Sequence, residues 1–342
     1  MSRARAWVLD GGFGLEHLRL EERSWDPPGE GEVGVRIHAA SLNYRDLLMV
    51  QGKYNRKQPL PMVPLSDGAG VVEALGPRCE RFQVGDRVAT VFAPRWIDGS
   101  PSQEALRFTL GGPMAGVLSE YVVLPEAALL PFPAHLSEVE ASTLPCAALT
   151  AWNALVTQGR TTAGESVLIM GTGGVATFAL QFSRMLGARV ILLSSHPQKA
   201  ETLSKVASFD LVDYRRDPQW PETVRRLTGY RGVDHVVELG GAGTLGHSLK
   251  ALRPGGTLSL IGVLAGGAGS VDLTPILMRH VRVQGIFVGS LRSYEAMNRA
   301  IGQHRLRPVI DRSFSMDEAP QAFRYLESAG HVGKVCIRVS AD

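Results

Sequence analysis

The segment GTGGVA at 171–176 constrains what this chain can fold into more than any other part of the sequence. It lies between the apolar run SVLIM at 166–170 and a stretch whose apolar residues recur at the spacing of one helix face. A glycine-rich turn between a buried strand and such a helix is typical of dinucleotide sites. Gly171 permits the tight turn, and Gly173 lets the backbone approach a pyrophosphate. The alternative is a glycine turn in an α/β protein that binds nothing.

Strands and helices alternate from about 166 to 263, which predicts βαβ units and a parallel, doubly wound sheet of the Rossmann kind. Before residue 125 the pattern differs, because short β-rich runs at 33–41, 68–76, 85–92 and 118–125 alternate with turn signals and predict an irregular, mostly antiparallel region. A helical stretch is predicted at about 137–158. The segment VGKVCIRVS at 332–340 again looks like a strand. We therefore predict a β-rich domain at 1–125, an inserted nucleotide-binding domain at 126–285, and a return to the first domain at 286–342.

Composition narrows the class of protein. The 342 residues are 44% hydrophobic with a formal net charge of +3, which is ordinary for a globular chain and excludes a disordered protein or a coiled coil. Basic residues form no dense run, so no nucleic-acid partner is expected. No apolar run approaches the roughly 20 residues of a membrane helix. The three cysteines are far apart and fit a reducing compartment, so a cytoplasmic location is predicted.

The residues after the second strand of the nucleotide-binding domain indicate which dinucleotide binds. Ser194 stands 23 positions after Gly171, where an NAD site has an acid for the ribose 2′-hydroxyl. Ser195 and Lys199 follow, and Tyr214 can add its hydroxyl or lie against the adenine. Hydroxyls and an ammonium can hold a 2′-phosphate that an acid would repel, so NADPH is predicted. The alternative is that the serines end a strand and Lys199 is a solvated helix residue.

Other chemistries find no support in the sequence. It contains no HExxH, no CxxC and no GxSxG, so metalloprotease, zinc-ribbon and α/β-hydrolase sites are not expected. Cys146 has no nearby sequence partner and is predicted to be a small core residue rather than a nucleophile.

With these motifs the chain resembles the medium-chain dehydrogenase/reductase superfamily, from about residue 7 to 339. The implied fold is α/β: a doubly wound Rossmann domain inserted into a split, β-rich, partly antiparallel, GroES-like catalytic domain. Zinc members hold their catalytic metal with Cys, His and Cys. Here Asn43 stands for the first Cys, Ser66 and Asp67 replace a His-Glu pair, and only Cys146 remains. One thiolate cannot build a zinc site, so no metal is predicted.

The resemblance also implies binding residues. Asn43 and Thr150 would line the nicotinamide end, and Gly173, Gly174 and Val175 would cover the pyrophosphate. Further cofactor contacts would come from strand ends and from a late backbone segment: Gly240, Gly262, Val263, Phe287, Val288 and Gly289. Lys334 would make the closing contact to the cofactor. Each late position can also be read as strand-end or turn packing. The resemblance further suggests a homodimer formed through the edge of the Rossmann sheet.

These features predict an oxidoreductase of the quinone oxidoreductase-like or enoyl reductase-like branch. Without a Lewis acid, hydride transfer to a quinone or an activated C=C (an enone, 2-alkenal or enoyl thioester) is favoured. A zinc-free alcohol or aldehyde reductase is the alternative within the enzymes. A non-enzymatic NADPH-binding protein is the alternative of another class. The sequence leaves the physiological substrate open.

Tyr54 and Asn43 are the predicted catalytic residues. A Tyr in the place of Tyr54 is the suspected acid of the enoyl-thioester reductases that the segment 43–54 resembles, and a phenol is protonated at neutral pH. Tyr54 can instead pack over the pocket mouth, and solvent can supply the proton. Arg45 and Asp46 can pair in a structural salt bridge.

Overall fold

The computed structural model describes residues 2–340, which divide into two compact units. The first unit contains residues up to Leu149 and from Gly289 onward, and the second runs from Thr150 to Val288. The chain thus leaves the β-rich unit at 149/150 rather than at 125/126, because residues 126–149 pack on that unit. β7 (Leu129–Pro131) pairs with its strand β5 (Arg87–Thr90), and Ser41 Oγ donates to the carbonyl oxygen of Ser142 at 2.8 Å.

The β-rich unit is built on one seven-stranded, mostly antiparallel sheet. The strand order is β14-β15-β3-β4-β5-β7, and β6 also pairs with β3. Its other strands are β3 (Glu32–Leu42), β4 (Asp67–Leu75), β6 (Tyr121–Pro125), β14 (Ile310–Ser315) and β15 (Lys334–Arg338). A separate antiparallel hairpin is formed by β1 (Ser2–Leu9) and β2 (Leu18–Trp25), which the sequence patterns do not indicate. The predicted runs at 33–41, 68–76, 85–92 and 118–125 all contain strands.

The β-rich unit also contains helices of 4 to 14 residues. They are α1 (Tyr44–Val50), α2 (Gln103–Arg107), α3 (Glu138–Ala141), α10 (Leu291–His304) and α11 (Ala319–Glu327). Val35, Ile37 and Phe323 are fully buried in the core between sheet and helices. The stretch predicted as one helix at about 137–158 is instead interrupted, with wide π turns at Leu144–Ala148 and Asn153–Gln158 on either side of α4 (Leu149–Trp152). Pro145 cannot donate a backbone hydrogen bond there, which favours the break.

The second unit is a six-stranded, wholly parallel sheet in the order β10-β9-β8-β11-β12-β13. The strands are β8 (Ser166–Met170), β9 (Arg189–Ser194), β10 (Asp210–Asp213), β11 (Val233–Glu238), β12 (Leu252–Leu260) and β13 (Arg282–Gly285). The helices are α5 (Gly174–Met185), α6 (Pro197–Ser204), α7 (Trp220–Leu227), α8 (Ala242–Ala251) and α9 (Thr274–Met278). The order reverses between β8 and β11, and ligands of open α/β sheets bind at that point.

The two regions have the predicted architecture, an α/β fold in which a Rossmann-type unit interrupts a β-rich one. On α5, Phe178, Ala179 and Phe182 are fully buried as the helical spacing predicts, whereas Val175 and Leu186 are partly exposed. Among residues 2–340, no helix is both long and apolar enough to cross a membrane.

Candidate active site

The β-rich unit encloses a group of charged and polar side chains that we call the buried polar cluster. Its members are Asn43, Arg45, Asp46, Asp67, Cys146 and Lys334. Asn43 directly follows β3 and caps α1, where its backbone N–H donates to Asp46 Oδ2 at 2.9 Å. Asp46 is 1% exposed. Burial raises the pKa of Asp46, and the nearby Arg45 guanidinium opposes that rise. The helix start thus carries a buried carboxyl into the cluster.

Arg45 ties the start of α1 to the loop that follows α2. Its Nη1 donates to the carbonyl oxygens of Leu110 and Gly111 at 3.0 and 3.1 Å, and its Nη2 donates to that of Gly112 at 3.1 Å. Nη1 also lies 3.2 Å from Asp46 Oδ1, so the salt bridge considered from the sequence is present. The rigid fork of a guanidinium suits this pattern, because a lysine ammonium lacks the planar spread to reach three carbonyls.

Tyr54 lies beside the same guanidinium. The Arg45 guanidinium carbon is 5.1 Å from the Tyr54 ring centroid and 5.1 Å from that of Phe92, the range of a cation–π contact. Tyr54 is 45% exposed. Burial raises the pKa of its hydroxyl, while Arg45 acts in the opposite direction. The phenol therefore keeps its proton at neutral pH, as a proton donor must.

Asp67 is the second buried carboxyl of the cluster, and it is fully shielded from solvent. It accepts hydrogen bonds from Ser66 Oγ at 2.6 Å and from the Cys146 backbone N–H at 3.1 Å. Burial raises the pKa of Asp67 to about 6, against the lowering effect of the Lys334 charge. The preceding Leu65 has a φ of 70°, a conformation that non-glycine residues adopt rarely and that often occurs at functional sites.

Cys146 lies at the edge of the cluster and is partly exposed. Burial of its sulfur raises the pKa of the thiol, and the Asp67 carboxylate raises it further. A protonated thiol is a weak nucleophile, which fits the packing role predicted from the sequence.

Lys334, the first residue of β15, brings an ammonium into the cluster. The residue is 2% exposed, and its Nζ donates to the carbonyl oxygen of Leu42 and to Asn43 Oδ1, both at 2.6 Å. The sequence suggested a contact between Lys334 and the cofactor. In the structure the ammonium is already bonded to the end of β3.

The cluster does not suit zinc, which a catalytic site holds with three Cys, His or carboxylate ligands and a water. Within residues 2–340, no three His, Cys, Asp or Glu side chains are grouped so that they could bind a metal ion. Asn43 and Ser66 occupy two of the positions matched to zinc ligands, and the amide oxygen of Asn43 is bonded to a positive charge. A dication beside that ammonium would be repelled.

In the second unit, the turn after β8 suits a pyrophosphate. Gly171 has a φ of 81°, and Gly173 precedes the 12-residue helix α5 without any side-chain cap. The backbone N–H groups of Gly174 and Val175 therefore have no partner within the helix, and the helix dipole adds positive potential. This arrangement is the one that binds phosphate in dinucleotide folds.

The residues predicted to choose the dinucleotide lie around the carboxyl end of β9. Ser194 Oγ accepts from the His196 backbone N–H at 3.1 Å, and Ser195 Oγ lies 2.8 Å from His196 Nδ1. Lys199 is on α6, and Tyr214 is 41% exposed after β10. The structure also places an acid at the carboxyl end of β9, because Asp213 on β10 pairs with Ser194 on β9. That carboxylate accepts from two backbone N–H groups, those of Arg215 and Arg216.

The loop after β11 owes its shape to a buried carboxylate that the sequence patterns did not single out. Glu238 is fully buried and accepts from the Gly240 and Gly241 backbone N–H groups at 2.8 and 3.1 Å. Gly241 has a φ of 83°, and a Cβ there would lie 2.8 Å from the Cα of Val263. Gly240, Gly262 and Val263 thus lie on two adjoining loops beside the reversal of strand order.

The end of the second unit has a strained backbone. Val288 has a φ of 43°, unusual for a β-branched residue, and its carbonyl oxygen accepts from Asn153 Nδ2 at 2.7 Å. Phe287 is partly exposed next to it, and Thr150, on α4, is 4% exposed. Gly289 begins the return to the β-rich unit. Asn153 is a second residue that sequence reasoning missed, since nothing in its neighbourhood marks it.

Comparison with known proteins identifies the family. A family model described as zinc-binding dehydrogenase matches residues 174–303, and one described as an alcohol dehydrogenase GroES-like domain matches residues 29–134. A zinc-type alcohol dehydrogenase-like protein of Schizosaccharomyces pombe is 40% identical over 335 residues, 95% of this chain and 96% of that protein.

Solved structures agree with this. A protein of Sinorhizobium meliloti 1021 provisionally named an alcohol dehydrogenase is 42% identical, with a TM-score of 0.92 over 99% of each chain. A 2-octenoyl-CoA carboxylase reductase in complex with NADP and 2-octenoyl-CoA is 25% identical, with a TM-score of 0.88 over 99% of this chain and 88% of the other.

A chain that contains a parallel sheet with a glycine-rich turn and a β-rich unit with a buried polar cluster has the features of an oxidoreductase that uses a nicotinamide cofactor. The matches in both units extend that statement to a family. The chain belongs to the medium-chain dehydrogenase/reductase superfamily.

Proposed function

We propose that this oxidoreductase uses NADPH, without a metal, to reduce a quinone or an activated C=C bond in an enone, 2-alkenal or enoyl thioester. The observation that carries the proposal is the Lys334 ammonium bonded to Asn43 Oδ1, at a position matched to a zinc ligand. The site thereby offers hydrogen-bond donors and a fixed positive charge in place of a Lewis acid. Such donors stabilise the oxygen that gains charge when hydride reaches the β-carbon of an enone.

The cofactor fits the residues present. The uncapped start of α5 and the turn at Gly171 would hold the pyrophosphate, and the two serines after β9 with Lys199 would hold the 2′-phosphate. NADPH, when bound, supplies a hydride. The NADP complex of the similar 2-octenoyl-CoA carboxylase reductase supports this choice. A similar structure, 33% identical, is named an NAD-dependent alcohol dehydrogenase, so the choice of dinucleotide needs its own test.

An alcohol or aldehyde reductase is the second candidate within the enzymes, because the 40% identical relative is named as alcohol dehydrogenase-like. The similar acryloyl-coenzyme A reductase of Sulfurisphaera tokodaii and quinone oxidoreductase of Lama guanicoe favour the first candidate. A similar synaptic vesicle membrane protein of Rattus norvegicus leaves a non-enzymatic role as the alternative of another class.

One assay separates these candidates. NADPH oxidation is followed at 340 nm against quinones, 2-alkenals, enoyl thioesters and saturated aldehydes, and the products are identified by mass. Turnover of the first three with slow reduction of saturated aldehydes is expected. Selective reduction of saturated aldehydes would favour the second candidate, and no turnover despite NADPH binding would favour the non-enzymatic role.

The cofactor preference is testable at Lys199. NADPH is expected to bind more tightly than NADH, and Lys199→Ala should reduce the difference by roughly tenfold, since a charge-assisted hydrogen bond contributes about 1.5–3 kcal/mol. Lys205→Ala, which removes a charge at the end of α6, should leave both dissociation constants unchanged. Equal dissociation constants of the unmodified protein for the two cofactors, measured by fluorescence titration, would contradict the prediction.

Metal independence is testable directly. Prolonged incubation with a chelator should change neither the reductase rate nor the melting temperature, because Asn43, at a position matched to a zinc ligand, is bonded to the Lys334 ammonium instead. Elemental analysis of the untagged protein should find no stoichiometric zinc. One zinc per chain, whatever the activity, would show that the prediction is wrong.

The chain is further proposed to form a homodimer through β13, an edge strand of the parallel sheet. Three large apolar residues that shortly precede it in the chain, Leu273, Leu277 and Met278, are 66%, 76% and 73% exposed. Exposed apolar patches next to an open strand edge favour association.

Light scattering should give twice the 36.9 kDa chain mass, and the double variant Leu277→Glu with Met278→Glu should give the mass of the monomer. Val206→Glu, at another exposed apolar residue, should leave the dimer intact; a monomeric unmodified protein would refute it.

A further inference from the structure

Asn43 and Lys334 lie 291 residues apart in the chain, yet Lys334 Nζ donates to Asn43 Oδ1 and to the carbonyl oxygen of Leu42, both at 2.6 Å. An ammonium can only donate hydrogen bonds, so the atom of Asn43 that faces it must be the amide oxygen. The orientation of the Asn43 amide is therefore fixed by Lys334. Without that ammonium, either end of the amide can turn toward β15.

The opposite end of the Asn43 amide has a donor left over. Asn43 is 8% exposed, and its Nδ2 is buried without a well-formed hydrogen bond in the chain. The Asn43 amide helps to lower the pKa of Asp67, so one of the two N–H bonds can face that carboxyl. The second remains for an atom outside the protein. Buried donors in folded proteins are almost always paired, which indicates that a ligand oxygen completes this site.

The contact with Lys334 also strengthens that donor. The positive charge of the Lys334 ammonium, which lies against Oδ1, draws electron density from the amide nitrogen. Hydrogen bonds that share an amide reinforce one another in a low-dielectric site. The positive charge of Lys334 is balanced by the two carboxyls of the cluster, because it opposes the rise that burial causes in the pKa values of Asp67 and Asp46. Arg45 pairs with Asp46, so the two carboxyls and the two cations compensate within the cluster.

We propose that Asn43 Nδ2 donates a hydrogen bond to the carbonyl or quinone oxygen of the substrate, and that Lys334 is the positioning residue that orients and polarises its amide. This rests on the proposed function and names the atom that the site recognises. A hydride, with its electron pair, forms a C–H bond at the β-carbon of the enone, and the C=C π electrons move toward the oxygen. Asn43 stabilises the charge there, and a proton from water or Tyr54 then bonds to the α-carbon. The substrate thus gains H⁻ and H⁺; the hydride would come from a C–H bond of bound NADPH, which would be oxidised to NADP⁺.

The test compares Asn43→Ala, Lys334→Met, Lys334→Gln and the double variant Asn43→Ala with Lys334→Met. Each is measured for kcat and KM with an enone and for the dissociation constant of NADPH. Asn43→Ala should lower kcat by about 10²–10³-fold, the usual cost of losing one donor to a developing oxyanion. NADPH affinity should remain within about threefold. Asn298→Ala, which removes a partly exposed amide that donates to the Pro131 carbonyl oxygen and lies outside the buried polar cluster, should leave kcat unchanged.

The lysine variants separate a positioning role from a structural one. Lys334→Met should lower kcat by roughly tenfold or more, and the double variant should lose no more than Asn43→Ala alone, because Lys334 acts through the amide. Lys334→Gln keeps a donor for Asn43 Oδ1 and should recover part of the rate. Melting temperatures show which variants fold. If Lys334→Met does not fold, Lys334→Gln in the Asn43→Ala background provides the same comparison.

The outcomes distinguish this inference from the proposed function. An unmodified protein that reduces no quinone or enone would overturn the proposed function, and the inference with it. An active unmodified protein whose Asn43→Ala variant keeps its kcat would overturn the inference alone. The inference would also be overturned if the losses of kcat in the two single variants multiplied in the double variant. It would likewise be overturned if the affinity for NADPH fell as much as kcat, because the Asn43 donor would then bind the cofactor.

Discussion

Replacing Tyr54 with Phe is expected to lower turnover of an enone by roughly 10²–10⁴-fold, the usual contribution of a positioned general acid. The proton that completes reduction must reach the α-carbon, and Tyr54 carries a hydroxyl beside the buried polar cluster. Burial raises the pKa of this hydroxyl, so it is fully protonated at neutral pH. The affinity for NADPH should hardly change, because the ring and its contact with Arg45 remain.

Two comparisons make the Tyr54 prediction specific. Quinone reduction should suffer less than enone reduction in Tyr54→Phe, because the oxygens of a hydroquinone can take protons from water. Tyr44→Phe is the matched control, since Tyr44 is 46% exposed at the start of α1, and its rate should stay unchanged. If Tyr54→Phe reduces the enone at the unmodified rate, Tyr54 shields the site or packs over it, and the proton comes from solvent.

Replacing Arg45 with Leu is expected to reduce the free energy of unfolding by about 3–5 kcal/mol, the usual cost of removing one partner of a buried ion pair. The Asp46 carboxylate would lose its guanidinium partner inside the protein, and the carbonyl oxygens of residues 110–112 would lose their donor. Urea unfolding followed by tryptophan fluorescence measures this change.

Two variants serve as controls for the Arg45 prediction: one removes an exposed ion pair, and the other keeps the positive charge of residue 45. Arg292→Leu removes an exposed pair with Asp98, in which the side chains are 75% and 61% exposed, and should cost less than about 1 kcal/mol. Arg45→Lys should fall between the two, because it keeps the charge for Asp46 but not the fork for the carbonyls. A loss in Arg45→Leu as small as in Arg292→Leu would show that the guanidinium is not essential to the fold.

The sequence predicted the parallel unit in detail because its signals are local. A buried run of five residues, a glycine turn and a helix with a 3.6-residue period lie within residues 166–185, and each requires only its neighbours. The same holds for the runs that became β3 to β6. The hairpin of β1 and β2 was not predicted because its apolar and polar residues alternate only weakly. The pairing of the two strands, which local patterns do not show, defines it.

The boundary at 149/150 was also beyond local patterns. Residues 126–149 change in texture where the prediction placed a new domain, yet β7 in this segment adds to the sheet of the β-rich unit. Strand pairing between residues far apart in the chain decides which unit this segment belongs to, and local composition does not indicate that pairing. The π turns at Leu144–Ala148 and Asn153–Gln158 interrupt the stretch that was predicted as one helix, and Pro145, which cannot donate a backbone hydrogen bond, favours that break.

The sequence by itself determined that a glycine-rich turn joins a buried strand to a helix, that serines and a lysine follow the next strand, and that Asn43 and Ser66 stand at positions matched to zinc ligands, because residue identity and short spacing fix these features. Only the tertiary structure decided which side chains surround the positions matched to zinc ligands in the β-rich unit. It joins Asn43 from the end of β3, Asp67 from the start of β4 and Lys334 from the start of β15. Antiparallel pairing of β3 with both β4 and β15 brings these strand ends together, and burial then forces their charges to compensate one another.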